Sequence, residues 1–222
     1  MKLGIVIPWR ETPSRLGPFN YVVNWYKDNF PEAEIFYGNR EGDLWSPSAS
    51  RNDGVKLAEA AGCDILIVGD ADSIAELHAL QEAVEAAYVD GYVHNPFNVY
   101  KHLDFESTLF YYLKYPDEKL NGSLHYDAVG GIFVCTPKTW WELGGMDEKF
   151  LQWGPEDRAF DVAHQVIKGI PFVKHEGMLY SFAHQRQETD PGFHKTHSQN
   201  SALFWEYLEI NNPDKMLELV KR

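Results

Sequence analysis

Asp64-Ile-Leu-Ile-Val-Gly-Asp-Ala-Asp-Ser73 decides the reading of this chain. Ile65 to Val68 is a short, unbroken apolar run, the pattern of a strand buried on both faces. It stops at Gly69 and is followed at once by Asp70 and Asp72, with Ala71 between them. Open parallel sheets bind their ligands beyond the carboxyl ends of the strands. Paired carboxylates at such a place suit Mg²⁺ or Mn²⁺, hard cations that take oxygen ligands and bridge phosphate oxygens. The plain alternative is a helix start, with Asp72 or Ser73 capping a helix that begins at Ile74.

On either side of this stretch the chain alternates strand and helix. Leu3 to Ile7 reads as a first buried strand, Phe19 to Asn29 as a helix and Glu34 to Tyr37 as a second strand. Ser50 to Ala61 reads as a helix with Val55, Leu57, Ala58 and Ala61 inward, and Ile74 to Val89 as another. Units of about 30 residues imply a parallel sheet with crossover helices. The polar clusters Pro8-Trp9-Arg10, Gly38-Asn39-Arg40 and Gly69 to Asp72 all fall at strand ends.

Residues 91–127 are less regular: a loop at His94 to Asn98, then a short aromatic helix at Phe105 to Tyr115. A strand at Asp127 to Cys135 and a helix at Pro137 to Leu143 follow. Glu156 to Lys168 is amphipathic, Phe172 to His175 and Met178 to Phe182 read as strands, and Ser198 to Ile210 and the tail after Pro213 as helices. The expected fold is α/β, one domain built as an α/β/α sandwich with a central, mostly parallel sheet. Its expected parts are a nucleotide-binding half (1–90), an acceptor and catalytic half (91–185) and a C-terminal loop with helices (186–222).

The bulk numbers exclude several classes. The 222 residues carry a formal charge of −13, which opposes broad binding to nucleic acid. Cys63 and Cys135 sit in apolar contexts and suggest no disulfide. Met1 to Pro8 reads as a strand and not a signal peptide, and no apolar run reaches the roughly 20 residues of a membrane helix. A cytoplasmic protein is expected.

Trp153-Gly-Pro-Glu-Asp157 is the second acidic motif, and Gly144-Gly-Met-Asp-Glu148 lies just before it. Proline and two acids are also good helix-start chemistry. The order Asp70-Ala-Asp72, Gly130-Gly131-Ile-Phe, Trp141 to Glu148, Trp153 to Asp157 and then His184 resembles the GT-A glycosyltransferases. The closest pattern is the family-2 type, with kinship to galactosyl- and N-acetylgalactosaminyltransferase domains. It covers residues 3–185, with Pro155 where the motif usually has a glycine.

The resemblance implies the nucleotide-diphospho-sugar transferase fold and a metal-dependent transfer from a nucleotide sugar, UDP-linked, to a hydroxyl group. Asp70 would contact ribose or metal, Asp72 would ligate the metal, and His184 would complete the site. On the plain reading His184 is a surface histidine, and His175, His194 and His197 are weaker candidates. Asp157 would be the general base and Glu156 would hold a sugar. An Asp at that position resembles the inverting members. Ser48 to Gly54 resembles a nucleotide-touching segment, which assigns Arg51 and Asn52 to the donor; Arg51 would pair with phosphate or anchor an Asp of the metal motif, unless it is a surface residue opening a helix. Pro8, Trp9 and Arg10 would flank the base, unless Trp9 belongs to the core. Asn39, Ala71, Gly131 and Trp153 would also line the nucleotide-sugar site. Gln185 to Gly192 reads as a loop that could order over donor and metal.

The acceptor is left open among glycan, protein and a hydroxymethylated pyrimidine in viral DNA, since the chain looks like small transferases of bacteria and their viruses. Tyr100, Lys101, His102, Tyr111, Tyr112 and Lys114 would form the groove for a flipped base. Two other readings compete: a nucleotidyltransferase, and an inactive nucleotide-sugar binder. The first lacks a convincing phosphate loop between Pro8 and Gly17; intact Glu156 and Asp157 oppose the second.

Overall fold

The computed structural model describes residues 1–185 and 193–222, the side chains of 193–195 excepted. The expected loop at 186–192 and the side chain of His194 lie outside the described residues.

Strands and helices alternate as β1 (Leu3–Pro8), α1 (Leu16–Asn29), β2 (Glu34–Gly38), α2 (Pro47–Ala60) and β3 (Ile65–Gly69). Then come β4 (Ser73–Ala75), α3 (Leu77–Asp90), β5 (His94–Asn95), β6 (Val99–Leu103), α4 (Phe105–Tyr112), β7 (Gly122–His125) and β8 (Ile132–Cys135). The chain ends with α5 (Pro137–Glu142), α6 (Glu156–Lys168), β9 (Val173–Lys174), β10 (Met178–Ser181), α7 (Phe193–Glu209) and α8 (Pro213–Lys221).

The main sheet has the order β2-β1-β3-β8-β5-β9. β1 runs parallel to β2 and β3, while β8 is antiparallel to β3, with Phe133 opposite Val68. Side chains alternate along a strand. Ile5, Ile7, Ile65 and Ile67 therefore enter one core with Val22 and Tyr26 of α1, and Val6, Leu66 and Val68 enter another with Val55 and Ala58 of α2. Burial on both faces explains the unbroken apolar runs. A third cluster joins Ala159 and Ala163 of α6 to Tyr207 of α7 and Met216 and Leu219 of α8.

Ser46 starts α2 by accepting from the Ala49 N–H at 3.2 Å, with Pro47 in the first turn. Glycine meets glycine where α2 lies on β2: a Cβ on Gly38 would overlap the Ser50 backbone, and one on Gly54 would overlap Val6. The inward stripe runs Arg51, Val55, Ala58. Leu57 falls off it and is 53% exposed, against expectation, because the helical period turns it to solvent.

The expected helix start at Ile74 is also corrected. Ser73–Ala75 pairs antiparallel with β10, and α3 begins only after Glu76. Tertiary pairing wins here because β4, β10, β6 and β7 form a second sheet that the local pattern does not announce. His94–Asn95, expected as loop, is a strand paired with β8 and β9. Both cysteines are free and buried.

Candidate active site

Arg51 lies at the centre. It is 3% exposed, carried by the first turns of α2 against the sheet. Its Nη2 donates to Asp70 Oδ1 at 2.6 Å, just beyond β3. Its Nη1 lies 3.2 Å from Asp157 Oδ1 and 3.5 Å from Glu156 Oε1, both in the first turn of α6. One buried guanidinium thus joins the two acidic motifs that the sequence singles out. Burial alone would lower the Arg51 pKa, but Asp70, Asp157 and Glu156 together hold it above its ordinary value. Burial pushes the Glu156 and Asp157 carboxyls up from the usual range; Asp157 adds to the rise at Glu156, and Arg51 opposes it at both. Glu156 Oε2 makes no hydrogen bond among the described residues.

Gly130 and Gly131 close the other side. The Asp70 N–H donates to Gly131 O at 2.8 Å. A Cβ on Gly130 would overlap the Asp157 carboxylate, so only glycine lets this loop pass. Gly131 has φ +109°, a backbone that side chains rarely adopt.

Asp72 sits apart from this cluster. The Phe182 N–H donates to Asp72 O at 2.8 Å, which continues the β4–β10 pairing and brings His184 alongside. His184 Nε2 is 2.9 Å from Asp72 Oδ2, and Arg15 Nη2 donates to the same oxygen at 2.6 Å. Burial would raise the Asp72 pKa, but Arg15 and His184 hold it well below the carboxylate range. An oxygen and an imidazole nitrogen form a donor pair that Mn²⁺ accepts. Among the described residues no three His, Cys, Asp or Glu side chains gather as a metal site. The pair would supply two ligands to a cation, provided that Arg15 releases Asp72. Asp70, expected on ribose or metal, is paired with Arg51 through Oδ1.

A cavity of 670 Å³ opens over the acidic pair, with Arg51, Asp70, Tyr100, Gly131, Glu156 and Asp157 in its lining. Trp153 stands at its mouth, stacked on His197 with centroids 5.7 Å apart. His102 and His184 line a smaller cavity of 410 Å³.

Other expected residues fall outside the cavity. Asn52 faces the turn after α5: its amide donates to Met146 O at 2.8 Å and accepts from Trp140 Nε1 and the Met146 N–H at 3.0 Å. Its bonding is spent on scaffold. Trp9 stacks on Phe19 at 3.9 Å, and Arg10 donates to the Arg40 and Gly42 carbonyls. Pro8 is paired in the sheet, Ala71 is buried in the core and Asn39 is exposed. His175 is at β9, its Nε2 2.9 Å from His94 Nδ1. Tyr111 and Tyr112, expected in the groove for a flipped base, pack on Tyr21 and Phe182. Sequence reasoning missed Arg15, 57 residues from Asp72, and the face of α7 that carries Ser201, Phe204 and Trp205 into the cavity.

Residues 116–168, which hold Gly130-Gly131 and the start of α6, match the family described as the N-terminal domain of galactosyltransferase. Drosophila β1,4-galactosyltransferase 7, solved as a mutant in complex with manganese, UDP-Gal and xylobiose, is similar in structure. It is 20% identical with a TM-score of 0.58, over 85% of this chain and 73% of that one. Its catalytic domain with xylobiose is 19% identical with a TM-score of 0.56, over 96% and 83%. The chain has the GT-A glycosyltransferase fold. GalNAc-T7 with UDP, GalNAc and Mn²⁺ is also similar in structure, 12% identical with a TM-score of 0.54, over 98% of this chain and 54% of that one. No curated protein is similar to the chain in sequence.

Proposed function

We propose that this GT-A chain is a metal-dependent glycosyltransferase that moves a sugar from a UDP-sugar to a hydroxyl acceptor with inversion. The observation that carries the reading is Arg51, buried between the strand-end Asp70 and the Glu156–Asp157 pair at the floor of one cavity. The galactosyltransferase match over 116–168 supports it, as do the manganese and UDP ligands of the structural neighbours.

Asp157 takes the proton of the acceptor hydroxyl as that oxygen attacks the anomeric carbon, and the bond to the diphosphate breaks on the opposite face. A carboxylate whose proton affinity is raised by burial is a better base near neutral pH. Arg51 holds Asp157 in place, and Glu156 Oε2 offers an acceptor to a sugar hydroxyl. Asp72 and His184 would hold Mn²⁺ or Mg²⁺, which offsets charge on the departing diphosphate. Among the described residues no helix is long and apolar enough to cross a membrane. The two free thiols support a reducing, cytoplasmic setting.

Thermal shift tests the reading. UDP should raise the melting temperature only with Mn²⁺, and Asp157→Asn should keep that rise while transfer from UDP-sugar is lost. A metal-independent rise, or normal turnover by Asp157→Asn, removes the assignment.

A further inference from the structure

Beyond the acidic pair the cavity continues along α7. His197, Ser201, Phe204 and Trp205 follow one another at helical spacing and form its outer wall. Trp205 is 65% exposed and Trp153 is 64% exposed. Tryptophan is on average a well-buried residue, so an indole as open as that of Trp205 on a cavity calls for a ligand.

Asn200, which flanks this stripe on α7, explains why the wall is fixed. Asn200, buried, donates to Leu151 O at 2.8 Å and Trp153 O at 3.0 Å and accepts from the Leu151 N–H at 3.2 Å. The loop that carries Trp153 is thereby tied to the helix that carries Trp205.

Charge selects the ligand's chemistry. The lining holds four carboxylates, Asp70, Asp127, Glu156 and Asp157. Arg51 is enclosed by three of them, and Arg158 donates to Asp127 Oδ2 at 2.9 Å. Such a wall repels a phosphate chain, which needs cations to neutralise it. An uncharged polyol fits. A pyranose would lay its C–H face on an indole and turn its hydroxyls to that of Ser201.

We propose that Trp205 forms a second-sugar subsite, so that the acceptor is an uncharged oligosaccharide. Its terminal ring lies at Asp157 and its next ring stacks on Trp205. This rests on the glycosyltransferase reading above, which sets where the first ring lies. The cavity volume of 670 Å³ is within the roughly 300–1,000 Å³ of ligand pockets.

The test titrates UDP with Mn²⁺ first, then follows saccharide binding to that complex by saturation-transfer NMR. The probes are xylose and xylobiose, glucose and cellobiose, and N-acetylglucosamine and chitobiose. At least one disaccharide should bind about tenfold more tightly than its monosaccharide, as one stacking contact allows. Trp205→Ala should abolish that advantage and Trp205→Phe should keep most of it. The subsite is overturned if no disaccharide outbinds its monosaccharide, or if the advantage survives in Trp205→Ala. Failure of UDP and Mn²⁺ to bind would instead strike the function reading, and the subsite with it.

Discussion

Arg15 Nη2 and His184 Nε2 converge on one oxygen of Asp72, at 2.6 and 2.9 Å. A cation arriving at that oxygen must displace a guanidinium held by a charge-assisted bond, worth about 1.5–3 kcal/mol. Arg15→Ala should therefore bind Mn²⁺ about tenfold or more tightly in the absence of nucleotide, measured by calorimetry. Unchanged or weaker affinity would show that Arg15 does not compete. Asp70 and Asp72 stood out by their place at the end of a buried strand, and Glu156 and Asp157 by the family resemblance, since helix-start chemistry alone would also account for that second pair. The division of labour among them was not legible. The anchoring of an Asp of the first motif by Arg51 was among the expectations, but its bonds to Glu156 and Asp157 and the pairing of Arg15 with Asp72 join residues far apart in the chain and follow no periodic rule.

At the scale of elements, the helix from Glu156 to Lys168 reads correctly from its apolar stripe and acidic first turn. β4 and β5, of three and two residues, do not, because they exist only through their pairing with β10 and with β8 and β9. α7 is legible as a helix, yet its period cannot tell which neighbour each face meets. Asn200 fixes that choice through three bonds to the 151–153 backbone. Asn200→Ala would leave two carbonyls and one N–H without that partner, at about 1–3 kcal/mol for a buried unsatisfied group. Urea unfolding of Asn200→Ala should show a loss within that range; a midpoint equal to the parent's would mean that the loop is held by packing alone.

For the whole molecule, stability should fall in mild acid through His164, which is fully buried. Its Nε2 accepts from the Val93 N–H at 3.1 Å and its Nδ1–H donates to Ile170 O at 2.8 Å, so both nitrogens are satisfied only in the neutral ring. Burial, chiefly, pushes its pKa down to about 4 from 6.5. The unfolded chain then binds more protons between those values, and stability drops as pH falls from 6.5 towards 4. The expected loss is about 2 kcal/mol by pH 5. Urea midpoints at pH 7 and pH 5 should diverge less in His164→Gln than in the parent; equal divergence would place the acid sensitivity elsewhere. The strand–helix alternation that sets this architecture was readable from apolar runs, whereas the second sheet was not, since its strands are short or half-exposed. One consequence reaches from fold to chemistry. Because α2 rests on β2 with bare hydrogens at Gly38 and Gly54, the depth of Arg51 is set by a seam one atom thick. A single methyl there would act as a shim, lifting the helix and unclasping three acids that no part of the seam touches.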